Sequence, residues 1–505
     1  MRSKKAIINI FSSLLLQVVV LICGFVVPKL IIRNYGSNVN GLISSITQFL
    51  AYISLLEAGI GPVIKAALYK PIAKKNKKEI QDILGASEKF FRVIALIFIV
   101  YLVILAFVYP IIVRGQFPYI YTLSLVLIIS ISTLAEYYFG MTYRLYLQAE
   151  QKTYITSVIQ MIGYILNTIV IVILVKCNAN IQVVKLVSSF IFVLRPVMQN
   201  IYVRKKYNIN LKNSDKNYQL KQKWDGLAQH IASVIHNNTD VTILTIFSKI
   251  SEVSVYSVYY LVVKGVKAVI QAFTGGVDAS FGDMIAKNEK QQLNKSFSVY
   301  ELFYFTIVTI VYTCTLLLIV PFVEVYTKGI TDAEYIRPIF AILLVLGDFA
   351  WAIRLPYSSI VLAAGHFKET MKGAWIESIT NIVISLILVW KWGIVGVTIG
   401  TLVAMVIRTV EFIYHTNKYI LERRHRKSIM QLLIIIVQVV ITALLAMLIP
   451  SCQFDNYLVW VKHACIILAI SLLVIVPSNC LIFRNDTKEL LKMVKNIIYR
   501  KKEST

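Results

Sequence analysis

The stretch KKNKKEIQDILGASEKFFRVIALIFIVYLVILAFVYPIIVRG, residues 74–115, contains the pattern that decides the fold of this chain. Four lysines between 74 and 78 precede an apolar run over about residues 91–113. A helix of roughly 20 apolar residues spans the hydrocarbon core of a bilayer, so this run predicts a membrane helix. A single Arg114 follows it before the next apolar run. Because basic residues gather on the cytoplasmic side of membrane proteins, we expect the lysine-rich end to face the cytoplasm.

The same pattern recurs along the chain and predicts a multi-pass membrane protein with both termini in the cytoplasm. If the first apolar run crosses outward, about 36 of the 52 lysines and arginines fall on the inner side and about 9 on the outer side. This alternation requires an even number of spans. About fourteen are predicted, near 7–30, 42–67, 91–113, 119–146, 154–175, 182–203, 227–248, 254–283, 298–322, 335–363, 371–390, 394–416, 430–450 and 456–483.

The composition excludes a soluble globular protein. Of the 505 residues, 57% are hydrophobic and 15% are charged, and the mean hydropathy is +0.70. A soluble domain could not cover that much apolar surface. The net charge of +26 lies mostly beside the apolar runs, where it meets anionic lipid headgroups. Membrane lipids are therefore expected partners, whereas nucleic acid is not.

Motifs that carry chemistry are scarce in this chain. The six cysteines and six histidines are scattered without CxxC or HExxH spacing, so neither a metal site nor a disulfide framework is predicted. No glycine-rich GxxxxGK[ST] loop occurs, so the chain carries no ATPase of its own. We expect no cofactor, no catalytic residues and no enzymatic activity.

The longest inner connection divides the chain after the sixth span. This segment, RKKYNINLKNSDKNYQLKQK at 204–223, is basic and nearly free of aliphatic residues, which is typical of a linker. LQAEQKT at 147–153 is similar to LAAGHFKET at 362–370, and each opens a span with a central asparagine, Asn167 or Asn381. The offset of about 214 residues predicts two six-helix lobes related by a parallel repeat.

The predicted fold is an all-α membrane protein that has two such lobes and two additional C-terminal helices. The predicted regions are an N-terminal lobe at 1–203, a cytoplasmic basic linker at 204–226, a C-terminal lobe at 227–417, two additional helices at 418–483 and a cytoplasmic basic tail at 484–505. Two lobes that share a cleft form an architecture typical of transporters.

Span eight contains the clearest polar stripe inside the membrane. Lys264, Lys267, Gln271, Thr274 and Asp278 recur every three or four residues and therefore share one face of a helix. Charges at this depth are costly in hydrocarbon, so they indicate a functional site. One interpretation is that the lysines contact an anionic substrate. The other is that they pair with carboxylates on neighbouring helices.

Span two contains the run EAGIGP at 57–62, which weakens a helix. Gly59 and Gly61 add backbone freedom, Pro62 removes a backbone hydrogen bond, and Glu57 and Lys65 place charges on either side. An interrupted helix is tolerated in a bilayer where it lines a cavity. We therefore predict a hinge at these residues, and the alternative is close helix packing at small residues.

Further polar residues complete the predicted substrate cavity. Asn237 and Asp240 share a face of span seven, and Arg354 lies in span ten. The whole candidate set is Lys264, Lys267, Gln271, Asp278, Lys65, Glu57, Asp240, Asn237 and Arg354. The basic bias of span eight favours a substrate with a phosphate and many hydroxyls, whereas a cavity for lipophilic cations would favour acids.

Several of these segments resemble one family of transporters. The EAGIGP run and the basic break after span six are similar to features of bacterial oligosaccharide flippases of the Wzx type. So are YSVYYLVVKGVKAVIQAFTGGVDASFGDMIAKN at 256–288, IRLPYSSIVLAAGHFKET at 353–370 and WIESITNIVISLILVWKWGIVGVTIGTL at 375–402. These flippases belong to the multidrug/oligosaccharidyl-lipid/polysaccharide (MOP) exporter superfamily. The resemblance covers about residues 1–425.

The resemblance implies that the protein moves undecaprenyl-diphosphate-linked oligosaccharide units from the inner to the outer leaflet of the bacterial plasma membrane. The transport would use alternating access of the two lobes. It would serve the biosynthesis of capsule, exopolysaccharide or O-antigen, beside other polysaccharide-assembly proteins. The resemblance also implies a cationic central cavity. The acids Glu57, Asp240, Asp278 and Asp348 depart from that pattern and leave room for coupling to H+ or Na+.

Two other functions stay open at the level of the sequence. A cation-coupled drug antiporter of the same superfamily would have an acidic cavity that binds lipophilic cations. A membrane polymerase or ligase of the same glycan pathway would carry arginine or histidine on a sizeable outer loop. The longest predicted outer loop, residues 322–334, is short, which disfavours the enzyme.

Overall fold

The computed structural model describes residues 2–57, 59–209, 211, 214–215, 218, 227–274, 277–366, 368–450 and 453–503, and its regular elements are helices. They are α1 (Arg2–Tyr35), α2 (Ser37–Ala51), α3 (Ile60–Lys74), α4 (Lys77–Ile112), α5 (Tyr119–Ala135), α6 (Met141–Ala149), α7 (Thr153–Lys176), α8 (Ile181–Tyr207), α9 (Leu227–Phe247), α10 (Ile250–Ala272), α11 (Val277–Ala286), α12 (Lys290–Tyr326), α13 (Pro338–Ala363), α14 (Met371–His415), α15 (Arg426–Met447), α16 (Tyr457–Ile482) and α17 (Arg484–Glu503). A 3₁₀ turn (Tyr52–Leu56) follows α2, and π-helical turns follow α5 (Glu136–Gly140) and α14 (Thr416–Ile420). The predicted all-α class is confirmed.

Twelve segments of the described chain are long and apolar enough to cross a membrane. One of them, Met371–Ile420, is 50 residues long and contains a backbone break at Gly393, where φ is 51° and ψ is −125°. The chain reverses there. The close approach of the two segments shows this, since a Cβ on Gly396 would lie 2.4 Å from the carbonyl oxygen of Leu388. The halves of α14 before and after Gly393 are called its first and second arms below.

The two arms of α14 correspond to the predicted spans at 371–390 and 394–416. Helix α9, which is not among the twelve segments, coincides with the predicted span at 227–248. The prediction of about fourteen spans thus differs from the count of twelve at one hairpin and one more polar helix.

The outward faces of several helices are strongly apolar. Ile120 on α5 is 79% exposed, Leu444 on α15 is 58% exposed and Leu473 on α16 is 74% exposed. Aliphatic side chains exposed in this way are suited to contact with lipid chains. Polar groups lie inside instead, and the side chains of Glu301 and Asn381 are fully buried. The functional candidates are therefore to be sought in the interior of the helical bundles.

The chain divides into two compact units, Met1–Ser257 and Val258–Thr505, and the division falls within α10. The first turns of α10 belong to the first unit because they meet the backbone of α2. A Cβ on Gly41 would lie 2.0 Å from the carbonyl oxygen of Ile250, so glycine alone fits this contact.

The predicted linker at 204–226 lies largely outside the described residues. Its first residues continue α8 to Tyr207, and Asp82 accepts a hydrogen bond from the backbone amide of Asp215 at 2.7 Å. The predicted basic tail forms α17. The domain boundaries and the cytoplasmic location of both termini stay predictions.

Candidate functional site

Lys267 is held in a buried ion pair. Its Nζ lies 2.6 Å from Oδ1 of Asp348, whose side chain is 5% exposed. The same carboxylate accepts a hydrogen bond from the hydroxyl of Tyr312 at 2.5 Å. The ammonium also lies 4.4 Å from the ring centroid of Trp351. These contacts satisfy the charge of Lys267, so this lysine shows the pairing that the sequence left as one of two interpretations.

Lys264 lies one turn earlier on α10, and its environment is different. The side chain is exposed, and no ion pair or hydrogen bond engages its amine within the described part of the chain. Gln271 is also exposed, whereas the side chain of Asp278 lies outside the described residues. The predicted stripe therefore contains one tied lysine and one free lysine. The free ammonium is the one able to take an anion.

The interruption of span two is present, and it is centred on Gly59. The 3₁₀ turn after α2 ends at Leu56, and α3 begins at Ile60. Gly59 has φ of 73° and ψ of 0°, a left-handed conformation that favours glycine. Gly61 and Pro62 lie in the first turn of α3, where a Cβ on Gly61 would meet its nearest neighbour at an ordinary contact distance of 3.5 Å. The backbone break thus belongs to Gly59, and its movement as a hinge stays a prediction.

The acids beside this break have partners. Glu57 accepts a hydrogen bond from the hydroxyl of Tyr137, which lies in the π-helical turn after α5. Glu136 in the same turn pairs with Arg144 at 3.0 Å. Lys65 on α3 is half-buried, and no carboxylate engages it among the residues that the structure describes. The cation next to the break is therefore less constrained than the acids.

The two candidates on α9 make contacts within the first unit. Asp240 is 5% exposed and accepts a hydrogen bond from the hydroxyl of Tyr256 on α10 at 3.0 Å. Asn237 is exposed, and its amide donates to the backbone carbonyl of Ser233 at 2.8 Å. Asp240 thus joins two helices, whereas the side chain of Asn237 hydrogen-bonds within its own helix and its backbone carbonyl accepts from Gln48 on α2 at 3.1 Å.

Arg354 belongs to a network of four charges in the second unit. Its Nη1 lies 2.6 Å from Oε1 of Glu377, and the other oxygen of Glu377 lies 3.5 Å from Nε of Arg408. Arg408 also contacts Glu411 at 2.5 Å. Gly373 leaves room for this carboxylate, because a Cβ there would lie 1.6 Å from Oε2 of Glu411 and the side chain of Glu411 would have to move. The two arginines and two carboxylates neutralise one another and tie α13 to both arms of α14.

The first unit holds an arginine without such partners. Arg195 on α8 places its guanidinium carbon 4.2 Å from the ring centroid of Phe192 and 5.2 Å from that of Tyr164. Its buried Nε has no hydrogen-bond partner in the described structure. Gly163 makes room for its stem, since a Cβ there would lie 2.7 Å from Cδ of Arg195. Aromatic rings hold this cation in place of carboxylates.

The first unit also contains a cavity of about 380 Å³ beside Lys185, which sequence reasoning missed. The lining residues are Thr47, Leu50, Ala51, Ile53, Ser54, Ile129, Ser132, Thr133, Tyr137, Lys185, Ser188, Ser189 and Phe192. The amine of Lys185 has no hydrogen bond or ion pair within the described ranges. The signal that could have revealed it is a lysine inside the apolar run IQVVKLVSSF at 181–190.

No protein-family model matches this chain, and no curated protein matches it in sequence. Solved structures do share its fold. The lipid II flippase MurJ in an inward closed conformation matches with a TM-score of 0.68 at 15% identity, covering 92% of this chain and 98% of that chain. An inward-facing multidrug resistance MATE family transporter of the MOP superfamily matches with a TM-score of 0.61 at 13% identity, covering 79% and 94%. The chain has the fold of MOP transporters.

A third protein with the MOP fold is a transporter from Pyrococcus furiosus, described as having a binding pocket of reverse polarity. It matches with a TM-score of 0.52 at 13% identity and covers 82% of this chain and 94% of its own. These neighbours are transporters or flippases. At such identities the likeness establishes the fold, and the choice of substrate must come from the residues of this chain.

Proposed function

We propose that this protein moves undecaprenyl-diphosphate-linked oligosaccharides from the inner to the outer leaflet of the bacterial plasma membrane. It does so by alternating access, for the assembly of a surface polysaccharide. The observation that carries this proposal is the balance of charge inside the membrane. The buried acids of the described spans have partners, whereas several cations have none. Unpaired positive charge inside a membrane protein suits a diphosphate.

The pairing of the acids is the first half of that observation. Each acid that is buried in the described structure has an ion-pair or hydrogen-bond partner. The partners are Asp82–Asp215 (backbone amide), Asp240–Tyr256, Glu301–Arg423, Asp348–Lys267 and Glu377–Arg354. A carboxylate that already holds a partner is not free to bind a cationic substrate.

The free cations are the second half. Lys65, Lys185 and Lys264 have no carboxylate partner among the described residues. An ammonium in a low-dielectric interior is unfavourable unless water or an anion compensates it. Lys65 and Lys185 are partly buried, and Lys264 adds an exposed cation, so the three lysines together favour an anionic substrate.

The same balance disfavours an antiporter for lipophilic cations, because that substrate requires an unpaired acid in the cavity. We further propose that both termini lie in the cytoplasm and that the driving ion, H+ or Na+, acts elsewhere than on the paired buried acids.

A reconstituted assay tests the proposal. Purified protein is placed in vesicles that contain undecaprenyl diphosphate linked to a dye-labelled disaccharide, and an impermeant quencher reports the leaflet occupied by the dye. We expect protein-dependent exchange between leaflets and no transport of ethidium. Transport of ethidium without movement of the lipid-linked sugar would reassign the protein to the drug antiporters.

Lysine variants sharpen this test. Lys264→Ala is expected to slow flipping by about tenfold, the equivalent of ~1.4 kcal/mol, with normal protein stability. Lys267→Ala is expected to lower stability as well, because it leaves Asp348 buried without its cation. Lys176→Ala, at an exposed lysine at the end of α7, is the control and should flip normally. Normal flipping by Lys264→Ala would remove Lys264 from the substrate site.

A further inference from the structure

The cavity beside Lys185 is built entirely within the first unit. Its walls come from α2 with its 3₁₀ turn, from α5 with the π-helical turn that follows it, and from α8. The volume of about 380 Å³ is within the range of roughly 300–1,000 Å³ that is usual for small-molecule sites. Hydroxyl groups, aliphatic side chains, one phenylalanine and one lysine line it. The hydrogen-bond donors and acceptors of this lining decide which class of ligand fits.

Most hydroxyl hydrogens in this cavity are already used. The donations to backbone carbonyls run from Thr47 to Ile43, from Ser54 to Ala51, from Ser132 to Ile129 and from Ser189 to Ile128, at 2.7–3.3 Å. Ser188 donates to the side-chain oxygen of Asn167, and Tyr137 donates to Glu57. A hydroxyl has one hydrogen and two acceptor lone pairs. These groups therefore offer mainly acceptors to whatever occupies the cavity.

Lys185 supplies hydrogen-bond donors to the cavity. Its ammonium carries three N–H donors, and none of them meets an acceptor in the described part of the chain. The cavity thus combines several oxygen acceptors with one concentrated donor. Leu50, Ile53 and Phe192 add an apolar wall.

This combination discriminates between classes of ligand. A phosphate or a carboxylate would match the ammonium but would bring further lone pairs toward the hydroxyl oxygens. A metal cation would match the oxygens but would be repelled by the ammonium. A polyhydroxylated ring brings several O–H donors for the oxygens and ring oxygens that accept from the ammonium. Its C–H faces also suit the apolar wall.

We infer that the cavity beside Lys185 binds one sugar ring of the transported glycan. The inference deepens the proposed function and rests on it. It assigns the first unit a carbohydrate site of its own, separate from the cation Lys264, which lies in the second unit.

Binding of free sugars to the full-length protein in lipid nanodiscs tests the site. Saturation-transfer NMR is recorded with a hexose, an N-acetylhexosamine and a hexuronate, and phosphorus line broadening is recorded with inorganic phosphate. We expect at least one sugar to bind and phosphate to bind at least tenfold more weakly. Phosphate binding without sugar binding would overturn the inference in favour of an anion site. Absence of binding by all four probes would show a lysine that is merely hydrated.

Two variants and two controls locate the binding. Lys185→Met is expected to weaken sugar binding at least fivefold and Ser132→Ala at least twofold. Lys176→Met and Ser124→Ala are the matched controls. Ser124 also lies on α5 and donates to a carbonyl three residues earlier at 2.8 Å, but it does not line the cavity. Equal losses in variants and controls would place the sugar elsewhere. Because Ser132→Ala removes a single oxygen, it keeps the test valid if Lys185→Met does not fold.

The flipping assay separates this inference from the proposed function. If wild-type protein flips the lipid-linked sugar while Lys185→Met and Ser132→Ala bind and flip as well as wild type, the cavity site is wrong and the flippase stands. If free sugar binds in the cavity but wild-type protein flips no lipid-linked sugar, the flippase proposal is wrong. Loss of both sugar binding and flipping in the two variants supports both.

Discussion

The α7–α8 hairpin of the first unit and the two arms of α14 in the second unit share one polar contact. In each hairpin an asparagine in the first helix is hydrogen-bonded to a hydroxyl in the second. Ser188 donates to Asn167, and Asn381 donates to Thr401 at 3.0 Å. The two asparagines are the pair that the sequence repeat predicted to be equivalent. The likeness of their contacts supports that repeat within each hairpin.

Each hairpin has an arginine seven residues after that hydroxyl, Arg195 in the first and Arg408 in the second, and the two arginines differ in their partners. Arg408 contacts Glu377 and Glu411, whereas Arg195 stacks on aromatic rings. Four residues before its asparagine, the second hairpin has Glu377 and the first has Gly163. Arg408 is thus held by acids, one of which has no counterpart in the first hairpin, whereas Arg195 has no ion pair among the described residues. Among the described residues, Lys65, Lys185 and Arg195 of the first unit have no carboxylate partner, whereas Lys267, Arg354 and Arg408 of the second unit are held by acids.

Removing the carboxylate of Glu377 should produce the largest loss of stability. Glu377→Gln preserves shape but takes from Arg354 its ion pair with Glu377 and leaves Arg408 paired with Glu411 alone. Breaking a buried pair costs about 3–5 kcal/mol, so we expect a large fall in the unfolding temperature of the detergent-solubilised protein. Arg195→Met removes a cation that has no ion pair and should cost only about 0.5–2 kcal/mol. Equal losses of stability in the two variants would break the comparison.

The glycines beside the arginines provide the next test. Gly373→Ala drives a methyl group into Glu411, whose carboxylate Arg408 holds in place, so the ion pair must open. Gly163→Ala meets only the flexible stem of Arg195, which can move aside. We expect Gly373→Ala to lower stability by about 1–3 kcal/mol and Gly163→Ala by clearly less. Thermal unfolding of both proteins measures the difference, and a larger loss in Gly163→Ala would contradict the assignment of a tied and a free arginine.

The breaks in the two units are also unlike one another. Gly393 lies at the tip of a hairpin, whereas Gly59 interrupts a helix within a predicted span. Gly59→Ala places a side chain in a left-handed conformation at a cost of roughly 1–2 kcal/mol, and we expect slower flipping. Gly61→Ala is the control, because its methyl group has room in α3 and alanine favours a helix.

Distances between spin labels on α2 and α3 measure the hinge directly. We expect wild-type protein to show two distance populations and Gly59→Ala to show one. A Gly59→Ala protein with wild-type distances and wild-type flipping would refute the hinge, whereas loss of folded protein would favour the packing interpretation.

Substitution of the two asparagines should give the smallest losses of stability, and the two losses should be nearly equal. Asn167→Ala and Asn381→Ala each remove one interhelical hydrogen bond, which is worth about 0.6 kcal/mol on average inside a membrane. We therefore expect a small loss of stability of similar size in both variants. A loss several times larger at one asparagine, measured by thermal unfolding, would show that the two hairpins are not equivalent.

The sequence located the spans and the break in span two, because those signals are local. An apolar run flanked by lysines indicates a span, and two glycines before a proline indicate a weakened helix, without reference to distant parts of the chain. The partners of the charges were not predictable in the same way. Lys267 and Asp348 are 81 residues apart, and nothing in the intervening sequence indicates that they touch.

The cavity beside Lys185 was missed for the same reason. Its oxygens come from three regions that are spread over more than a hundred residues of chain, and each serine considered alone is an ordinary small residue. Three of the hydroxyl donations join different parts of the chain, from Ser189 to Ile128, from Ser188 to Asn167 and from Tyr137 to Glu57, and only the tertiary structure shows them.

The sequence by itself therefore determined that this is an all-helical membrane protein, because burial in lipid constrains every residue of a span directly. It also determined where polar residues enter the spans. The tertiary structure alone decided which of those charges are free, since a charge in a low-dielectric interior is defined by the groups that lie within a few ångströms of it. Lys264 and Lys267 are three residues apart in the same helix, yet only the neighbouring helix, through Asp348, distinguishes them.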